Sequence, residues 1–275
     1  MRIFGLDVGR HRVKVYSDGI KLSFPSYCGS YRTLRLERTM TEEDMVVEWK
    51  GCRYYVGSIA RDEAEDGIQN FLTSKVTTDT QLIGLTALHR FVENGEEIAL
   101  VIGHPISNHT QPEKEGMRQL FTGEHDLTVN GEHKRFTITN VTVVPEGAST
   151  QFILPKKHTV AHGIDAGGAT TNYCTWERGR WVDRLSGTLE FGLENIRNLS
   201  MEQFARLVAN SVARKLHQFC GPIYVLGGAA EPLSSALRQY IRNVPIEPLE
   251  DGMFANARAY YDIGVKMYEK VQTQR

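Results

Sequence analysis

An excess of charge of either sign is missing from this chain. It has 32 Lys and Arg against 33 Asp and Glu, a formal net charge of -1 in 275 residues, so the broad basic surface that charge-driven nucleic-acid binding requires is not expected. Cysteine is also sparse. Cys28, Cys52, Cys174 and Cys220 form neither a CxxC pair nor a zinc spacing, which predicts small buried residues in a reducing compartment and argues against a disulfide framework or a metal knuckle. No apolar run reaches membrane-spanning length, and Arg2 leads straight into a strand-like run where a targeting leader would show charged and apolar zones. The expectation is a cytoplasmic protein with no direct contact to membrane or nucleic acid. His104, His109, His158 and His162 fall at no ligand spacing on an expected helix and read as ordinary hydrogen-bonded or surface residues. The pairs Tyr54-Tyr55 and Tyr260-Tyr261 read as core and interface residues.

What the chain does contain is a repeat. Gly5-Leu6-Asp7-Val8-Gly9 near the start returns past the middle as Gly163-Ile164-Asp165-Ala166-Gly167. Each begins in an apolar run and ends in glycine followed by β-type residues, the pattern of a strand, a tight turn and a second antiparallel strand. Glycines allow backbone N–H groups to converge on a phosphate oxygen, and a carboxylate at the strand end can hold a hydrated Mg²⁺ beside it. A single Asp-Gly hairpin is commonplace; two in matching frames point to a triphosphate gripped from both sides. The repeat also favours two lobes over one large domain, which the length alone would permit.

Along the first half, Ile3–Leu22 reads as strand, turn, strand, with a second hairpin at Ser17-Asp18-Gly19. The stretch from about 24 to 66, with β-rich runs at Met45–Trp49 and Arg53–Val56 around Lys50-Gly51, reads as a small insertion of its own. A helix is predicted from about Thr78 to Glu93, with Asn94-Gly95 as its stop. Ile98–Ile102 is a continuous apolar run, as in a buried strand of a mostly parallel sheet, and Phe136–Val144 is a strand ending at Pro145-Glu146-Gly147. In the second half, Gly163–Thr175 turns at Glu177-Arg178-Gly179 into a strand at Trp181–Leu185. Ser200-Met201-Glu202-Gln203 is a capping box for a helix whose apolar face carries Phe204, Leu207, Val208, Val212, Leu216 and Phe219, ended by Gly221-Pro222. Ile223–Leu226 runs into Gly227-Gly228, Pro232 stands in the first turn of a helix to about Arg242, and a last helix spans about Met253 to Lys270.

This ordered set of short motifs resembles the actin, Hsp70 and sugar-kinase superfamily over nearly the whole chain, and within it most of all the bacterial plasmid-segregation actins of the ParM and AlfA group. The resemblance implies an α/β fold of two lobes, each a ribonuclease H-like domain, with lobe I at 1–150 (including the insertion at about 24–66), lobe II at 151–275, and Mg²⁺-ATP in the cleft between them. Asp7, Gly9 and Lys14 match the first phosphate motif, with Lys14 as a point charge on the β-phosphate. Arg10 stands where relatives commonly carry Ser or Thr, a departure that leaves only a backbone N–H contact. Asp165, Gly167, Gly168, Thr170 and Thr171 match the second motif, in which amides and a hydroxyl surround the γ-phosphate. Asp7 and Asp165 would then hold the metal through water, and Glu146 would position the attacking water, so that Glu146, Asp165 and Asp7 form the implied catalytic set. Gly227 and Gly228 match the adenosine motif.

Between Asp165 and Gly227 there is room for about two strands and one helix, far less than a full second lobe needs. The added subdomain of lobe II (IIB) is therefore expected to be missing, as in AlfA-type actins. Less enclosure of the purine would extend tolerance from ATP to GTP, and filament contacts would be altered. The implied activity is a nucleotide-dependent filament former that hydrolyses ATP, self-associates head to tail and segregates plasmids through a DNA-bound adaptor. The alternatives are a pantothenate-kinase-like small-molecule kinase, disfavoured because no acid-arginine pair follows a first-half strand, and a scaffold protein holding nucleotide as a static ligand.

Overall fold

The computed structural model describes residues 1–36, 38–69, 74–196, 198–216 and 219–272. Two compact units divide them, and the division is not a single cut. One unit comprises Met1–Ile102, Thr110–Val143 and Gly264–Arg275; the other comprises Gly103–His109 and Val144–Ile263.

The first unit is built on a ten-stranded sheet in the spatial order Ile20–Pro25, Arg12–Ser17, Arg2–Val8, Glu97–His104, Glu132–Pro145, Gly123–Val129, Asp44–Trp49, Cys52–Gly57, Tyr27–Ser30, Ile68–Gln69. The first hairpins follow their turn residues, with Asp18 and Gly19 at φ 50° and 83° in the left-handed region that twisted two-residue turns demand. Arg2–Val8 pairs parallel with Glu97–His104, Leu6 opposite Ile102, but the sheet as a whole corrects the mostly parallel expectation. Hairpins at Lys50-Gly51 and Asn130-Gly131, all four residues at positive φ, force antiparallel neighbours. The segment from about 24 to 66, apart from Glu37, which lies outside the described residues, adds strands to this same sheet, joined through Val47 opposite Val129 and Trp49 opposite Leu127. No element is predicted from the sequence pattern for residues 106–135. They hold the helix Gln111–Phe121, which buries Met117 and Phe121, and the strand Gly123–Val129. Pro112 near the helix start and Asn130-Gly131 between Leu127 and Phe136 were the available signals.

The helix Thr78–His89 is capped by Thr77 Oγ1, which accepts from the Thr80 N–H at 3.2 Å, and it ends four residues short of the expected Glu93. Its Leu82, Leu85 and Leu88 lie in the same core as Phe4, Leu6 and Leu100. Burying such side chains contributes about 1.5–3 kcal/mol each before the entropy cost of ordering them.

The second unit carries a six-stranded sheet: Arg180–Trp181, Thr171–Glu177, Val160–Ala166, Ile223–Leu226 and Ile246–Pro248 in order, with Gly187–Leu189 also paired to Thr171–Glu177. The predicted strand at Trp181–Leu185 is only Arg180–Trp181; Asp183–Leu185 is a short 3-10 turn. Ser186 fixes that turn, its Oγ donating to the Val182 carbonyl at 2.8 Å and accepting from the Thr175 N–H at 3.1 Å. The capping box is present, Ser200 N–H donating to Gln203 Oε1 at 2.8 Å and Gln203 N–H to Ser200 Oγ at 3.3 Å. The helix Met201–Leu216 that follows buries Phe204, Val208 and Val212 against Ile164, Val225 and Leu233. Leu216's side chain lies outside the described residues, and Phe219 follows the helix end, partly buried against the same cluster. The helix predicted to run to about Arg242 is Ala230–Leu237, and the last helix is Ala255–Gln272 after a 3-10 turn at Gly252–Phe254.

Between Glu177 and Ile223 the described residues hold two short strands, one turn and one helix, so the second lobe is abbreviated. Among the described residues no helix is long and apolar enough to cross a membrane. The four cysteines are free, but only Cys28 and Cys174 are buried; Cys52 and Cys220 are exposed, correcting the expectation for those two. Burial pushes the Cys28 thiol up to about 12.

Candidate functional site

In the first unit the strand Arg2–Val8 delivers Asp7 to its end, buried and directly opposite Lys14 on the return strand. Lys14 Nζ lies 3.0 Å from Asp7 Oδ2, so the pair is formed by hairpin register alone. Gly9 is obligatory here: a Cβ at that position would fall 2.6 Å from the Arg12 carbonyl oxygen and 2.8 Å from Lys14 Nζ. Ser26 Oγ donates to the Gly9 carbonyl at 2.6 Å, and Arg10 stands half-buried at the turn itself.

Sequence reasoning missed Lys75. It is buried, and its Nζ donates to the Val8 carbonyl at 2.8 Å, across 67 positions of chain. With Gly9, Arg10, Ser26 and Thr80 it lines a depression beneath the turn. A buried ammonium is costly unless paired or hydrogen-bonded, so this lysine brings a fixed positive charge to the back of the first loop.

In the second unit the strand Val160–Ala166 delivers Asp165, also buried, opposite Asn172. The turn is closed by Gly167 N–H donating to the Thr170 carbonyl at 3.0 Å. A strap at residues 191–195 holds it from one side: Leu193 and Glu194 amides donate to the Gly167 and Gly168 carbonyls at 3.0 and 2.7 Å, and Asn195 Nδ2 to the Ala169 carbonyl at 2.8 Å. Two of the expected ligand donors are thereby used within the fold, since the Gly167 N–H closes the turn and the Thr171 hydroxyl donates to the Phe191 carbonyl at 2.9 Å. The Gly168, Ala169 and Thr170 amides donate to no acceptor among the described residues. Three successive amides of that kind beside a turn are the makings of an anion nest.

Glu146 is buried in this same unit, its N–H donating to the His104 carbonyl at 2.9 Å. The next residue, Gly147, has φ 70° and sits so near the phosphate-type strand that its Cβ would be 3.4 Å from that of Asp165. Asn256, in the first turn of the last helix and also unforeseen, joins the two: Nδ2 donates to Asp165 Oδ2 at 2.8 Å, and Oδ1 accepts from the Gly147 N–H at 3.0 Å. Asp165 reaches in the other direction as well, its negative charge reinforcing the burial that raises the Cys174 thiol. Gly227, at φ 99°, packs on the end of the same strand; a Cβ there would lie 2.4 Å from the Ala166 carbonyl oxygen. Gly228 is exposed, and a Cβ on it would meet nothing within 4 Å.

The predicted residues thus form two groups: Asp7, Gly9, Arg10 and Lys14 in the first unit, and Glu146, Asp165, Gly167, Gly168, Thr170, Thr171, Gly227 and Gly228 in the second. Their chemistry fits a magnesium-complexed phosphate ligand. Lysines and unsatisfied amides suit phosphate oxygens, and the open space over Gly228 suits the backbone approach of a ligand. Among the described residues no three His, Cys, Asp or Glu side chains gather as a metal cage. Mg²⁺ does not ask for one, since it keeps several waters and leans on one or two carboxylates and the phosphates themselves.

The description of the N-terminal domain of actin-like proteins matches residues 5–148, more than half of the chain. Among solved structures, the apo pSK41 ParM protein has a TM-score of 0.78 at 17% identity, with 98% of this chain and 99% of that one covered. AlfA from the B. subtilis plasmid pLS32, solved as a filament, has a TM-score of 0.77 at 22% identity, covering 98% and 99%. The archaeal actin homologue Ta0583 has 0.78 at 18%, covering 97% and 100%. No curated protein matches by sequence. At these identities the structural likenesses speak for the two-lobed α/β fold, and with the family match over residues 5–148 they lead to one conclusion: the chain belongs to the actin-like proteins.

Proposed function

We propose that this protein binds ATP, and with a less enclosed purine also GTP, as the magnesium complex, polymerises in that state, and hydrolyses the nucleotide as the polymer ages. The observation that carries the proposal is the repeated Asp-Gly hairpin, one copy armed with Lys14 and the other set beside Glu146. Lys14 and the loop amides take phosphate oxygens, Asp7 and Asp165 take the metal through water, and Glu146 aims the attacking water. Most of the rate in phosphoryl transfer comes from such positioning and charge stabilisation. Support for nucleotide and polymer comes from relatives of the same fold: Ta0583 was solved with ADP and an AlfA filament with AMPPNP, and a ParM from Clostridium botulinum as a 15-stranded filament. The finer role we assign is plasmid segregation in the cytoplasm, through a DNA-bound adaptor and without direct contact to nucleic acid or membrane.

Sedimentation with and without Mg²⁺-ATP, run beside phosphate release, tests this. Polymer that pellets only with nucleotide, and releases phosphate, is the expected result. Turnover only on addition of a metabolite would make the protein a kinase, and bound nucleotide with neither polymer nor phosphate would make it a scaffold. Asp165→Ala is expected to abolish phosphate release with the fold retained; unchanged turnover would mean that the site lies elsewhere.

A further inference from the structure

We infer that Asn256 is a positioning residue that locks the water-aiming glutamate turn to the metal-side aspartate, an assignment that rests on the function proposed above. One primary amide serves both partners in the orientation its chemistry requires: its N–H donates to the Asp165 carboxylate, and its carbonyl oxygen accepts from the Gly147 N–H. All three residues are in the second unit. The bonds span 91 and 109 positions of chain, so neither partner could be placed by local structure. Asn256 is 7% exposed, which makes each bond expensive to leave unmade.

The consequence is geometric. Gly147 has a left-handed backbone, φ 70°, and its N–H belongs to the peptide that joins it to Glu146. Holding that N–H therefore fixes the plane from which the Glu146 side chain departs. Holding Asp165 Oδ2 at the same time fixes the rotation of that carboxylate. A misplacement of about 1 Å at either carboxylate is the kind of error that costs roughly 100-fold in an oriented reaction. Asn256 touches neither nucleotide nor water in this scheme and acts only through its two neighbours.

The test is a cycle of Asn256→Ala, Glu146→Ala and the double variant in the full-length protein, measuring nucleotide affinity by titration and phosphate release in single turnover. Asn256→Ala is expected to slow release at least tenfold while Mg²⁺-ATP affinity stays within about threefold, and to add little once Glu146 is gone, because both changes remove the same aimed water. Asn256→Asp keeps an acceptor for Gly147 but sets a carboxylate oxygen against Asp165 where the donor stood; it is expected to remain folded by circular dichroism, with a lower denaturation midpoint than the parent, and to release phosphate slowly. Release unchanged in Asn256→Ala, affinity lost in proportion to rate, or multiplicative effects in the double variant would each overturn the inference while leaving the proposed function intact. Absence of release from the unmodified protein would overturn both.

Discussion

Mild acid is expected to destabilise the second unit through His162, three residues before Asp165 on the strand that carries the phosphate-type turn. The ring is 3% exposed. Its Nδ1 lies 2.9 Å from Thr175 Oγ1, and the Thr175 hydroxyl donates its own hydrogen to the Leu185 carbonyl at 3.1 Å, so Nδ1 must carry the proton in that contact. Nε2 then accepts from the Cys220 N–H at 3.3 Å. A second proton on the ring would set one N–H against another in a site already poor in solvent, and burial accordingly pulls the His162 pKa down to about 4. The unfolded chain titrates near 6.5. Between those values the unfolded state binds the extra proton and the folded state does not, so stability is full above about pH 6.5 and falls as the pH drops toward 4. At pH 4.5 the loss from this residue alone is roughly 2–3 kcal/mol. The assay is chemical denaturation from pH 7.5 to 4.5 for the parent and for His162→Gln, whose amide can still accept from Cys220 without titrating. The variant should lose less stability by that amount, and NMR of the folded parent should show His162 neutral at pH 5.5. Parallel pH profiles for the two proteins, or a folded-state titration near 6.5, would refute the argument.

Lys75→Met removes the charged donor beneath the first loop; a hydrogen bond from a charged group contributes about 1.5–3 kcal/mol, and Mg²⁺-ATP affinity measured calorimetrically should fall about tenfold with the fold preserved. Affinity within twofold of the parent would show that the tie to the Val8 carbonyl does not bear on the ligand. Gly227→Ala meets both a left-handed backbone and a carbonyl oxygen 2.4 Å from its Cβ, a combined strain of roughly 2–5 kcal/mol visible as a lower denaturation midpoint. Gly228→Ala meets nothing within 4 Å and should leave that midpoint where it was, within about 0.5 kcal/mol, while weakening nucleotide binding. A Gly228→Ala protein that is destabilised, or that binds nucleotide as the parent does, would remove this residue from the site.

What could be read from the sequence, and what could not, divides along the range of the interactions. Asp7 opposite Lys14 follows from a hairpin with its register set by a short turn, and the second hairpin repeats the logic, so both loops are written within a dozen residues each. The capping box at Ser200 and the strand Ile223–Leu226 are equally local. Lys75 is not: nothing in Thr73-Ser74-Lys75-Val76-Thr77 distinguishes a buried lysine from a solvated one until the Val8 carbonyl arrives from far upstream. Asn256 reads as a polar residue in the first turn of a helix, where asparagine is unremarked, and its importance lies wholly in partners that the fold supplies. Thr171 has a partner of the same distant kind: its hydroxyl donates to the Phe191 carbonyl, at the start of the strap at residues 191–195. A loop that binds a ligand through backbone amides must be held open by other atoms, so the residues that hold it cannot all be residues that touch the ligand. Sequence motifs mark the loop; the holders, Lys75 for the first and Asn195 and Asn256 for the second, come from wherever the chain happens to return. It follows that substitutions at the holders should reach the ligand only through the loop, lowering affinity or rate in step with the mobility of the Gly9 and Gly168 amides in hydrogen exchange.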